Sequence, residues 1–138
     1  MQHLIDMIKE HEGLRLKPYR CSADKLSIGY GRNLDDRGIT LDEAEYMLRN
    51  DIELCYQELN CFSWFADLDT VRQYALVDLC FNMGLPGLLT FRKALAAMAE
   101  GLYDKAADEF LDSKWAREDV GKSRSTRITE MIRTGIAQ

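Results

Sequence analysis

From Leu14 to Arg32 the chain reads Leu-Arg-Leu-Lys-Pro-Tyr-Arg-Cys-Ser-Ala-Asp-Lys-Leu-Ser-Ile-Gly-Tyr-Gly-Arg. Apolar side chains at Leu14, Leu16 and Tyr19, then at Leu26, Ile28 and Tyr30, recur with the near-alternation of half-buried strands. Pro18 and the polar turn Ser22-Ala23-Asp24 interrupt the pattern. The stretch therefore predicts a small antiparallel sheet, closed by Gly29-Tyr30-Gly31 as a strand. Upstream, Leu4, Ile5 and Ile8 recur at helical spacing and Gly13 stops the turn, which predicts a short amphipathic helix ending at Glu12.

Downstream, Thr40-Leu41-Asp42-Glu43 has the form of a capping box, in which each side chain satisfies the other residue's backbone amide. A long helix is expected to start there, with Ala44, Met47, Leu48, Ile52, Cys55 and Leu59 as its buried stripe, and to run to about Asn60. Asp69 caps the next helix, which is apolar on nearly every face from Val71 to Met83, as the buried centre of a helical lobe is. Gly84 and Pro86 end it. Shorter helices follow near Thr90 to Glu100, Tyr103 to Ser113 and Ser123 to Thr134, with Gly101 and Gly135 as stops. The fold class is α+β in one domain, 1–138. A small sheet lobe spans 13–40, a linking helix 41–60 and a helical lobe 61–138, the last joined by the N-terminal helix 1–12.

At 138 residues and 46 % hydrophobic composition, the chain can bury a core of its own. The net charge of −5 argues against a nucleic-acid binder, which needs a basic face to neutralise phosphates. Charge is uneven: Asp35 to Asp69 is acidic, whereas the last stretch sets Lys122, Arg124, Arg127 and Arg133 against Glu130. That stretch is either a solvated face or a basic wall lining a site. No run approaches the length of a membrane span, and Met1 to Glu12 alternates apolar with charged residues, so we expect no span and no export signal. Cys21, Cys55, Cys61 and Cys80 form no metal-type pair and read as free thiols, although Cys55 and Cys61 flank a helix end and can meet if oxidised. His3 and His11 have no partners at metal spacing and Gly29-Tyr30-Gly31 is too short for a phosphate loop, so neither metal nor cofactor is expected.

An acid at a helix C-terminus stands in the negative end of the helix dipole, which favours its proton-bearing form. That is the form from which a general acid works. The residues around Glu12, His11-Glu12-Gly13-Leu14-Arg15-Leu16 with Tyr19 and then Ser27-Ile28-Gly29-Tyr30-Gly31, resemble the phage-type lysozymes, the muramidases of tailed-phage lysis. The family pattern is Glu, eight residues, Asp or in some members Cys, five residues, Thr. Glu12, Cys21 and Ser27 stand at those intervals. The resemblance continues through Val71 to Leu95, with Phe81-Asn82-Met83-Gly84 and Phe91, and returns at Ser113-Lys114-Trp115 and Arg133-Thr134-Gly135. The region between Arg32 and Thr40 is shorter than in the longest members.

The resemblance implies a lysozyme-like fold and hydrolysis of the β-1,4 bond between N-acetylmuramic acid and N-acetylglucosamine. It makes Glu12 the acid, Cys21 the thiolate base or water-positioner, with Arg20, Lys17 and Lys25 favouring the thiolate, and Ser27 the hydroxyl that helps hold the water. Arg124 corresponds to an arginine that supports the acid, and Arg32, Phe81 and Asn82 to substrate contacts. The implied partner is peptidoglycan glycan strands. The implied setting is a monomer in the host bacterial cytoplasm that meets the wall once a holin has opened the membrane. Two other readings use the same residues. A lytic transglycosylase would cut this bond with one Glu, and an inactive glycan-binding descendant would keep only the cleft.

Overall fold

The computed structural model describes residues 1–138. Helix α1 (Gln2–Glu12) closes where the Gly13 amide donates to the Lys9 carbonyl at 2.9 Å, so Glu12 is its last residue. Strands β1 (Arg15–Arg20), β2 (Leu26–Gly29) and β3 (Arg32–Asn33) form an antiparallel sheet in the order β1-β2-β3. In the β1–β2 pair Tyr19 lies opposite Ser27 and Arg20 opposite Leu26, and the register shifts between Arg15 and Tyr19. Pro18 falls in that irregular stretch, where its missing N–H does least harm to the ladder. Cys21 and Lys25 bracket the hairpin turn through a 2.9 Å bond from the Cys21 amide to the Lys25 carbonyl. Asp24 takes the left-handed conformation, φ 58°, which aspartate tolerates better than most residues.

The second hairpin corrects the sequence reading. Ile28 pairs with Arg32 and Ser27 with Asn33, so Gly29 ends β2, where it pairs with Arg15, and Tyr30-Gly31 is the turn to β3 and not the rest of a closing strand. A short helix α2 (Leu34–Arg37), which the sequence reading did not anticipate, follows at once, capped by Asn33 Oδ1 accepting from the Asp36 amide at 3.0 Å. Helix α3 (Leu41–Leu59) begins at the expected capping box: the Thr40 hydroxyl accepts from the Glu43 amide at 3.2 Å, and Glu43 Oε1 accepts from the Thr40 amide at 2.9 Å.

Two compact units divide the chain, Met1–Met47 and Leu48–Gln138. The first includes α1, which the sequence reading groups with the helical lobe. In the second, α4 (Thr70–Leu89) starts at Asp69, whose carboxylate accepts from the Arg72 amide at 3.2 Å. Its Ala75, Leu76, Leu79, Cys80 and Leu88 are buried, as expected of a central helix. Gly84 breaks the helical path at φ 76°, ψ 160°, a conformation a side chain strains to reach. The path then resumes through Pro86, at the start of a further turn where no amide is needed, and ends at Leu89 instead of at Gly84.

Helices α5 (Arg92–Ala99), α6 (Tyr103–Leu111) and α7 (Gly121–Thr134) complete the unit, with a π-helical turn over Trp115–Asp119. They contribute Ala94, Met98, Ala107, Phe110, Trp115, Ile128 and Ile132 to the core. Each large apolar side chain so buried is worth about 1.5–3 kcal/mol. All four cysteines are free. Cys55 meets Cys80 in the core, thiol to thiol, where the sequence reading considered Cys61, and burial pushes the Cys80 thiol up to about 12. No single helix is long and apolar enough to cross a membrane.

Candidate active site

Glu12 is exposed at the end of α1, so the helix terminus and one neighbouring turn, not burial, form its surroundings. That turn comes very close. A Cβ on Gly31 would lie 2.6 Å from Glu12 Oε2, nearer than any side chain could be borne, and Gly31 has φ +76°. Lys9, one turn earlier on α1, places its ammonium 5.3 Å from the centre of the Tyr30 ring. The Gly-Tyr-Gly turn is thus set against the acid by a missing side chain and a cation–π contact.

Cys21 follows β1 directly, and Ser27 is buried in β2 opposite Tyr19. The Cys21 thiol is held below its ordinary pKa first by the Lys25 amide, then by the Ala23 amide, and to a smaller degree by the Ser27 hydroxyl; desolvation opposes them. Donors aimed at sulfur stabilise the thiolate, the form that accepts a proton. Ser27 Oγ also lies 3.3 Å from the Lys25 carbonyl oxygen, so its single proton serves one acceptor at a time. Nearby cations do not act as expected. Arg20 pairs with Asp35 at 3.5 Å and Lys25 with Asp36 at 3.2 Å, and backbone hydrogen bonds do the work on the thiol instead.

Arg32 donates through Nη1 to Glu43 Oε1 at 2.7 Å and to the Gly38 carbonyl at 3.2 Å. With the Thr40 amide on the same Glu43 carboxylate, this fixes the 32–43 loop and lowers the Glu43 carboxyl to about 2, the Arg32 bond being the largest cause. Arg32 thus holds that loop through Nη1, while its Nε and Nη2 make no hydrogen bond within the protein. In the second unit, Phe81 is exposed and lines a cavity with Tyr56, Tyr74, Asp78 and Arg124. Asn82 Oδ1 accepts from Trp115 Nε1 at 3.0 Å. Arg124, expected to support the acid, gives Nε and Nη2 to Asp78 Oδ1 at 3.1 and 2.6 Å, so its guanidinium is engaged within the helical unit.

No role at the site was read from sequence for Gly31, Glu43, Asp78 or Trp115, although Gly31, Glu43 and Trp115 stand in motifs noted there. The doubled glycine around Tyr30 was a usable signal for Gly31, whereas the other three are partners across long sequence separations that no local pattern shows.

The phage lysozyme family model matches residues 9–129, a range that contains Glu12, Cys21, Ser27, Arg32, Phe81, Asn82 and Arg124. The chain is 36 % identical over 124 residues to the endolysin of Acyrthosiphon pisum secondary endosymbiont phage 1, covering 86 % of this chain and 81 % of that protein. It is 28 % identical over 140 residues to probable T4-type lysozyme 1 of Dictyostelium discoideum, covering 96 % of this chain and 78 % of the relative. Similarity at 27 % identity extends to the pre-baseplate central spike protein Gp5 of Enterobacteria phage T4, of whose length the match covers 28 %. With a helix-end glutamate, a Cys–Ser pair at the matching intervals and a family model that spans most of its length, this chain belongs to the phage lysozyme family.

Proposed function

We propose that Glu12 donates the proton to the leaving glycosidic oxygen while Cys21, as thiolate, takes a proton from the attacking water, with Ser27 positioning that water. The chain is a glycoside hydrolase of muramidase type, acting on the bond between N-acetylmuramic acid and N-acetylglucosamine in cell-wall peptidoglycan. In the step, the C1–O4 bond breaks, O4 gains the Glu12 proton, water oxygen bonds C1, and the water proton passes to sulfur. Solvent then returns a proton to Glu12 and removes one from Cys21. A base on a separate residue, activating water rather than attacking the sugar, is the inverting arrangement.

The observation that carries this reading is that one compact unit holds both an exposed helix-end carboxyl, backed by Gly31, and a thiol whose hydrogen bonds favour thiolate. Phe81 offers an exposed ring to a sugar and Asn82 an amide at the edge of a second cavity, and both serve substrate in this reading. Arg124, through Asp78, shapes the surface beside Phe81. The relative named as a phage endolysin supports a role in host lysis, in which the monomeric enzyme reaches the wall from the host cytoplasm after a holin opens the membrane.

Digestion of purified sacculi tests the reaction type. Reducing N-acetylmuramic acid ends are expected; anhydro-muramic ends would replace hydrolysis by transglycosylation, and binding without cleavage would leave only a glycan-binding protein.

A further inference from the structure

Strand β3 stops at Asn33, because Asn33 caps α2 and Leu34 enters that helix. In the β2–β3 register Ser27 faces Asn33, so the residue before it, Leu26, has no backbone partner on β3. An amide left in this way needs another acceptor. The Leu26 amide donates to Asp35 Oδ2 at 2.8 Å, across nine positions of sequence. Asp35 is the second residue of α2, so a side chain of the short helix does what a longer strand would have done.

We propose that Asp35 is a positioning residue for the reaction: through the Lys25–Leu26 peptide it holds Cys21 and Ser27 in the arrangement that activates the attacking water. The proposal rests on Cys21 being the base. A peptide group is planar, so the Leu26 N–H and the Lys25 carbonyl move as one body. Asp35 holds one edge of that plane. On the other edge the Lys25 carbonyl accepts from the Cys21 amide at 2.9 Å and lies 3.3 Å from Ser27 Oγ. Both residues assigned to the water thus hang on one peptide, and Asp35 fixes its tilt. The Lys25 amide, one residue earlier, is the first of the donors that favour the thiolate.

Two ion pairs also join α2 to the hairpin. Arg20 Nη1 reaches the same Asp35 oxygen at 3.5 Å, and Lys25 Nζ donates to Asp36 Oδ1 at 3.2 Å. Their side chains are 42–60 % exposed, and ion pairs so open to water are worth little. The Leu26 bond is shorter, has a charged acceptor and is anchored on backbone, so it carries the effect. Charge alone points the other way. A carboxylate beside the hairpin opposes the thiolate and draws off Arg20, a cation that would favour it. The charged groups around the thiol are Arg20, Asp24 and Lys25 on the hairpin and Asp35, Asp36 and Arg37 on α2. None of these side chains acts on Cys21 through its charge; amide and hydroxyl donors do. The two accounts therefore differ in sign when the carboxylate is removed: lost anchoring raises the thiol pKa, and lost charge lowers it.

The test uses the full chain with Asp35→Ala, which loses anchor and charge, and Asp35→Asn, which loses the charge but keeps an oxygen for the Leu26 amide. Alkylation of Cys21 by iodoacetamide, followed across pH by peptide mass spectrometry so that Cys61 does not interfere, reads the thiol without reference to activity. Asp35→Ala is expected to move the alkylation midpoint to higher pH. On soluble glycan strands it should lower kcat about tenfold near neutral pH, the scale of one hydrogen bond to a charged group, with KM changed less than about twofold and the deficit narrowing as pH rises. Asp35→Asn is expected to keep the wild-type midpoint and a kcat within about threefold. Equal midpoints in Asp35→Ala and wild type, or a fall in both variants, overturns the proposal. Should Asp35→Ala fail to fold, Asp35→Asn alone decides, since the charge account requires its midpoint to fall. A raised midpoint in Asp35→Ala with an unchanged kcat profile removes Cys21 as the base, and the role of Asp35 in the reaction falls with it.

Discussion

A methyl group on Gly31 would lie 2.6 Å from Glu12 Oε2 and would have to be borne at φ +76°. Gly31→Ala is therefore expected to cost about 1 kcal/mol of stability from backbone strain alone and to lower kcat more than tenfold by displacing the carboxyl. Thermal unfolding and steady-state kinetics on one preparation separate the two effects. At Cys21 the sign of the pH dependence is set by the base, which works deprotonated. The lowered thiol pKa places the acid limb of the rate profile below that of an ordinary thiol, and activity rises with pH through it. Cys21→Asp should retain activity and move that limb down toward the carboxylate range near about 4. Cys21→Ser should lose activity at every pH; undiminished turnover would remove Cys21 from the mechanism. Residue identities and intervals at 12, 21 and 27 were legible in the sequence. What holds the thiol was not, because amides of the Ala23–Lys25 turn carry no signature in residue type.

The Thr40–Glu43 element shows how far local pattern reaches. Its capping box was readable and both bonds form, yet the Arg32 bond that completes it spans eleven positions and needed the folded loop. Because the Glu43 carboxyl is depressed to about 2 in the fold, it contributes stability that is fully present above the ordinary value near 4.5 and is lost as pH falls from there toward 2. Glu43→Gln should remove this slope from acid unfolding curves, and an identical slope in both proteins would contradict the assignment. Thr40→Ala should lower stability by about 1 kcal/mol, the usual cost of an N-cap. The Gly-Tyr-Gly error has the same origin. Tyr30 continues the apolar alternation of β2, but two glycines at φ 71° and 76° turn the chain, and the pairing of Ile28 with Arg32 leaves Tyr30 and Gly31 in the turn while Gly29 still pairs with Arg15. Helices with strong periodicity were found, whereas α2 and the π-helical turn are too short to leave a period.

Over the whole molecule, a net charge of −5 faces a bacterial envelope that is itself rich in anions. Long-range attraction is absent, so the clearing rate should hold or rise as ionic strength goes from about 0.01 to 0.15 M, where a cationic lysozyme would slow. A steep fall would show that a local basic patch governs the encounter. The placement of thiols gives a second whole-molecule test. Exposed Cys61 and half-buried Cys21 should react with a thiol reagent in native protein, while Cys55 and Cys80 stay silent until unfolding. The central claim is that Glu12 supplies the proton, and turbidity clearing of chloroform-treated Gram-negative cells by wild type and Glu12→Gln tests it most directly. Clearing by wild type with a loss of at least about a hundredfold in Glu12→Gln, both proteins folded, is the expected result. Comparable clearing by the two would contradict it.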